Sequence, residues 1–126
     1  MTLKSYITKI NRVTADNNNF REVLFTAVYS QLVVMCLKAG EEIGSEVHNN
    51  IDQFLRVESG EGRAVLDGQS HELKPGYAVV VPAGVQHNVI NTSKEKELKL
   101  YTIYTPPEHA DGTIHRTKAE ADAAEH

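Results

Sequence analysis

The chain has little of what would place it outside the ordinary globular class. Cysteine is nearly absent: Cys36 is the only one among 126 residues, which excludes an internal disulfide. It sits in the apolar run Val33-Val34-Met35-Cys36-Leu37, so a buried core thiol is expected, with a reactive nucleophile as the sharper alternative. No apolar run approaches the roughly 20 residues that span a bilayer. The longest, Leu32 to Leu37, suits a buried strand. Residues Met1 to Ile10 carry two lysines but neither an apolar h-region nor a small-residue cleavage site. No secretory leader is read there, and a cytoplasmic location is expected. Basic clustering is missing too. With 17 acidic against 13 basic residues the net charge is -4, which argues against a nucleic-acid partner. Solenoid repeats and a low-complexity core are also lacking.

What is there reads as one domain over residues 1–126, with a core barrel at about 20–105 and a tail at 106–126. Hydrophobic residues make up 40% and charged residues 24%, enough to bury a core without staples. The middle is a series of short strands punctuated by glycine turns. Val23 to Tyr29, Gln31 to Lys38, Gln53 to Glu58, Tyr77 to Val81, Val85 to Ile90 and Leu98 to Tyr104 are strand-like. Gly44 to His48 begins a further extended piece. Gly62 to Leu66, Asp67-Gly68 and Gln69 to Leu73 form the clearest hairpin, because Asp-Gly tolerates the positive φ angles of a type I′ turn. Asp16 to Asn19 is turn-like. Pro106-Pro107 stops the last strand. Thr117 to Glu125 has helix-forming composition, and Thr117 with Glu120 fits a capping box. The fold class is all-β, a barrel or two-sheet jelly roll, with a short C-terminal helix or tail.

Residues two apart on a strand share a face. Glu46 and His48 therefore point one way and Val47 the other. Gln53 leads a face that continues with Leu55 and Val57, and a polar head on an apolar inward face costs stability unless it is paired or liganded. His87 follows the turn at Pro82-Ala83-Gly84 and shares a face with Val85 and Val89. Four donors on inward faces make a plausible metal cage, and imidazole with carboxylate and amide oxygen suits Zn, Mn or Fe.

These residues also match a family. Gly40-x5-Glu46-x-His48-x4-Gln53-x6-Gly60 resembles the first cupin motif. Gly76-x5-Pro82-x-Gly84-x2-His87-x3-Asn91 matches the second at every defining position. The resemblance implies a double-stranded β-helix barrel holding one divalent ion. Cupins usually supply it with His-x-His, then Glu, then a second-motif His. Here Glu46 stands at the first histidine position and Gln53 at the glutamate position, while His48 and His87 match. The same four residue types ligate zinc in phosphomannose isomerases, also cupins, in a different order. A polar pocket without metal is the alternative.

The expected function is a metal-dependent, isomerase-like enzyme acting on a small polar metabolite such as a sugar or oxo/hydroxy acid. Glu46 would be a ligand or, released, a general base. The alternatives are an Fe(II) dioxygenase built on His48, His87 and Glu46, and a non-catalytic small-molecule-binding cupin. Tyr104 and His109 are further catalytic candidates. Tyr101 and Tyr104 have opposite parity, so only one faces inward. His109 and His115 lie in a segment that could fold across the barrel mouth as a lid. Gln31 either reaches the pocket or is a solvated strand residue. Arg21 and Arg56 are candidates for an anionic substrate, although Arg56 alternates outward, and His71 is read as a surface residue. A homodimer paired through sheets is expected, because pairing covers an exposed strand edge.

Overall fold

A computed structural model describes residues 4–124 of the chain. The elements run α1 (Ile10–Asp16), β1 (Arg21–Thr26), β2 (Gln31–Leu37), β3 (Asp52–Ser59), β4 (Gly62–Leu66), β5 (Gln69–Leu73), β6 (Ala78–Val81), β7 (His87–Asn91), β8 (Leu98–Thr105), β9 (Ile114–His115) and α2 (Lys118–Ala124). Two antiparallel sheets face each other. The larger has the order β6-β3-β8-β2-β1-β9 and the smaller β5-β4-β7. In the smaller sheet β4 and β5 join through the Asp67-Gly68 turn, and β5 reaches β7 through residues 74–86, which carry β6 of the larger sheet.

Alternation drives the packing. On β8 buried and half-buried residues alternate from Leu98 to Tyr104, and β3 does the same from Gln53 to Val57. Antiparallel partners share a face, so the register lines the large sheet's inner surface with rungs. Leu37 opposite Leu98 is the lowest. Above it come Met35, Leu100 and Val57, then Val33, Thr102, Leu55 and Val79. The rung at the other end is Gln31, Tyr104, Gln53 and Val81. All four of these residues are buried. The barrel interior thus grades from aliphatic to polar, and the polar end is where chemistry can sit.

β2 departs from alternation: Val33 to Leu37 is buried on both faces. The cause is α1, which lies against the outside of β2, β3 and β8. The sequence reading placed only a polar turn near Asp16. A helix of seven residues is too short to persist alone and is held by the sheet. Lys99 Nζ donates to the Ala15 carbonyl at 2.7 Å, and Thr14, fully buried, donates its hydroxyl to the Ile10 carbonyl at 2.6 Å. Cys36 is a buried core residue, as expected. Burial, reinforced by Glu97, pushes its thiol up to about 11, so it stays protonated and inert at neutral pH.

The β4–β5 hairpin has the expected bounds, with Asp67 at φ 48° and Gly68 at φ 83° closing it. The extended piece at Gly44 to His48 does not become a strand. Gly44 at φ 106° breaks the ladder, leaving isolated bridges from Glu42 to Ile90 and Glu46 to His87. β6 is apolar throughout yet lies at a sheet edge, so Val80 is 65% exposed. Two motif residues have structural work. A Cβ at Gly60 would run into the backbone of Glu97 and Leu98. Asn91, buried, donates to the carbonyls of Leu37, Lys38 and Lys96 and ties three segments together. At the C-terminus the Thr117 hydroxyl accepts from Glu120 N–H at 3.1 Å, and the Glu120 carboxylate accepts from Arg116 N–H at 3.1 Å. This is a capping arrangement shifted back by one residue on the carboxylate side.

Candidate metal centre

Backbone pairing assembles the site. Glu46 N–H donates to the His87 carbonyl and His87 N–H to the Glu46 carbonyl, both at 2.9 Å. Directly opposed residues in an antiparallel pair project to the same side, so the two side chains converge. His48, two residues on, joins them, while Val47 faces out and is 48% exposed. The turn before β7 is anchored to the same segment: Gly84 N–H donates to the His48 carbonyl and Ala83 N–H to the Asp52 carboxylate. Ligand atoms of Glu46, His48 and His87 all lie within 4.8 Å of one another. This is a cluster of one carboxylate and two imidazoles compatible with a metal ion.

The surroundings orient these groups. His87 Nδ1 lies 2.9 Å from the Val85 carbonyl. Donation to that carbonyl fixes the tautomer and leaves the Nε2 lone pair for a cation. His48 Nε2 is 2.9 Å from the Glu46 carboxylate, and its Nδ1 faces Glu108 at 3.7 Å. Burial works to raise the Glu46 carboxyl, but the hydrogen bond from His48 and the charges of His48, His87 and Arg21 outweigh it and hold the group below its ordinary value. Glu46 is therefore ionised at neutral pH.

Gln53 tests whether the donor set fits a cation. Its side-chain N–H donates to the Thr102 hydroxyl at 3.0 Å, while its Oε1 is buried with no hydrogen-bond partner. A buried amide oxygen without a donor carries a cost of roughly 1–3 kcal/mol. Oxygen is the amide atom that can bind a hard or borderline cation. An orphaned oxygen in the polar rung beside Tyr104 fits that requirement.

The segment after β8 folds over this end of the barrel. Gln31 is fully buried, neither solvated nor facing outward. Its amide N–H donates to the His109 carbonyl at 2.7 Å, and its oxygen accepts from the N–H groups of Glu108 and His109. The strap so pinned sets His109 edge-on to Tyr104, ring centroids 5.2 Å apart. Tyr104 in turn lies 6.2 Å from the His48 ring. Burial pushes the Tyr104 hydroxyl well above its ordinary value. Burial and then Arg21 hold His109 down to about 4, so it is neutral at pH 7, and its Nε2 is buried without a partner. His115, on β9, approaches Arg21 with Nδ1 3.2 Å from Nη1.

Outside the site, Tyr101 packs on Phe54 on the outer face. Arg56 pairs with Glu58 there, and His71 is exposed. The sequence reading missed Thr102 and took Glu108 only as one of the acids of the possible lid segment. Both reach the site through pairings distant in sequence, for which no local pattern exists.

A two-sheet β-barrel with a Glu/His/His cluster at its polar end is the architecture of the cupins. The family model of the cupin domain matches residues 33–104, and the chain belongs to that family. It is similar to the uncharacterized protein YrkC of Bacillus subtilis (strain 168), 48% identical over 128 residues that span 97% of this chain and 68% of that one. It is also similar to the uncharacterized protein L612 of Acanthamoeba polyphaga mimivirus, 41% identical over 113 residues, 86% of this chain and 70% of that one. The crystal structure of BH2720 from Bacillus halodurans superposes with a TM-score of 0.93 at 41% identity, over 95% of each chain.

Proposed function

We propose that this cupin holds one divalent ion, Zn, Mn or Fe, through Glu46, His48, His87 and the Gln53 amide oxygen. On that reading it acts as a metal-dependent enzyme on a small polar metabolite, a sugar or an oxo/hydroxy acid, in an isomerase-like reaction. The observation that carries it is Gln53: an amide aimed by Thr102, with a buried oxygen that no donor among the described residues satisfies. When bound, a divalent ion supplies Lewis-acid polarisation of a substrate oxygen.

The chain's own groups supply the rest. Glu46 is ionised and can accept a proton at Oε1 or Oε2. The Tyr104 hydroxyl stays protonated and can donate to a developing oxyanion. Neutral His109 presents Nε2 beside it to position a substrate hydroxyl or carbonyl. The strap pinned by Gln31 lies over this end of the barrel, where on this reading it would limit water at the site.

A second reading is an Fe(II)-dependent dioxygenase, favoured by the two-histidine, one-carboxylate composition of the cluster. Elemental mass spectrometry on protein purified without chelator or histidine tag separates them. Zinc or manganese near one ion per chain supports the isomerase-like route. Iron with substrate-dependent oxygen uptake supports the dioxygenase. Metal-free protein that takes up none on reloading overturns both.

A further inference from the structure

Arg21 is the least expected residue inside the barrel. It sits opposite Met35 on the aliphatic rung with Leu100 and Val57, and it is 3% exposed. A guanidinium keeps its charge in protein interiors, and a buried charge without a counter-charge is strongly destabilising. Among the described residues Arg21 forms no ion pair with any carboxylate. One of its nitrogens meets His115, it interacts with the Tyr104 hydroxyl, and its Nε–H is buried with no acceptor. Its charge acts on Glu46, Tyr104 and His109 at the polar end of the barrel. The fold keeps a desolvated donor there that no described residue satisfies.

We propose that Arg21 is the anion-recognition residue of the site and that the ligand is a small carboxylate, such as a 2-oxo or 2-hydroxy acid. The carboxylate accepts from Arg21 Nε–H and from the Tyr104 hydroxyl. Its neighbouring oxygen is directed at the Glu46, His48 and His87 cluster. This rests on the metal reading above, and it selects acids over neutral sugars. Charge balance agrees: Arg21 and a divalent ion together outweigh the carboxylates of Glu46 and Glu108. Arg gives a planar fork matched to a carboxylate.

The test is calorimetric titration of pyruvate and of its neutral amide, pyruvamide, into wild type, Arg21→Gln and Arg21→Lys. Each is measured both manganese-loaded and chelator-treated, with metal content determined in parallel. The expected result is pyruvate binding to the loaded wild type, weakened roughly 10- to 100-fold in Arg21→Gln, the loss of a charge-assisted hydrogen bond. Arg21→Lys should recover only part of it. Pyruvamide should bind weakly and alike to all three, and metal content should be unchanged. Equal pyruvate affinity in wild type and Arg21→Gln overturns the proposal, as does a wild type that binds no pyruvate in either state. A wild type that takes up no metal but still binds pyruvate through Arg21 overturns the metal reading and leaves this one standing.

Discussion

Single side chains in this protein do their work through what they lack. Gln53 and Arg21 are buried, polar and incompletely satisfied, and native interiors rarely tolerate such atoms without a reason. At Gln53 the consequence is measurable. Gln53→Leu keeps the volume and removes the oxygen, so manganese or zinc affinity in a competition titration is expected to fall by about tenfold or more, in the range typical of altered metal shells. Gln53→Glu, which restores a carboxylate at that position, is expected to retain the ion. Equal affinity in wild type and Gln53→Leu would remove Gln53 from the ligand set.

At the scale of elements, the strap from Pro106 to His115 decides how closed the site is. It has little regular structure of its own, since its only strand is the short β9 pairing with β1. Gln31 substitutes for a ladder by bonding both sides of the peptide backbone at Glu108 and His109. Gln31→Ala leaves those groups without a partner, at a cost of roughly 1–3 kcal/mol. Hydrogen exchange is expected to accelerate across 106–115 while β3 and β8 stay protected. Uniform acceleration through the barrel would show instead that Gln31 is a global core residue.

The same strap should respond to acid. Burial and then the charge of Arg21 hold His109 down to about 4 in the folded state, against an ordinary 6.5. A depressed value means that the unfolded chain takes the proton first. The stabilisation is complete above about pH 6.5 and is lost as pH falls toward 4. The melting temperature of wild type is expected to drop over that window more steeply than that of His109→Phe. Parallel pH profiles would exclude His109 as the source.

For the whole molecule, the open question is assembly. β6 ends the larger sheet, with Val80 65% and Tyr77 50% exposed beside it. An apolar edge strand is a ready surface for pairing. The homodimer expected from the sequence is proposed to form there. Light scattering should give a dimer mass for wild type and a monomer mass for Val80→Lys, which places a charge on the edge. A wild-type monomer at working concentration would count against it. No described helix is long and apolar enough to cross a membrane.

Much of this was written locally in the chain. Period-two alternation identified most strands and put Glu46 opposite Val47 and Gln53 in line with Leu55 and Val57. The Asp67-Gly68 turn set the register of its hairpin, because φ angles and parity depend on neighbours a few residues apart. The spacing of two motifs was enough to identify the barrel family and three clustered side chains compatible with a metal ion. Other features depended on contacts across the chain. Helix α1 is stable only against β2, β3 and β8. Arg21 is buried with an Nε–H that no described residue accepts from only because the barrel closes around it. Thr102 reaches Gln53 through strand order, and Glu108 reaches His48 through the strap that Gln31 pins. Gln31 became the anchor of the 106–115 strap because a segment 78 residues away folds onto it. Local pattern sets which face a side chain takes. Only the closed barrel decides what that face meets and which polar atoms are left without a partner.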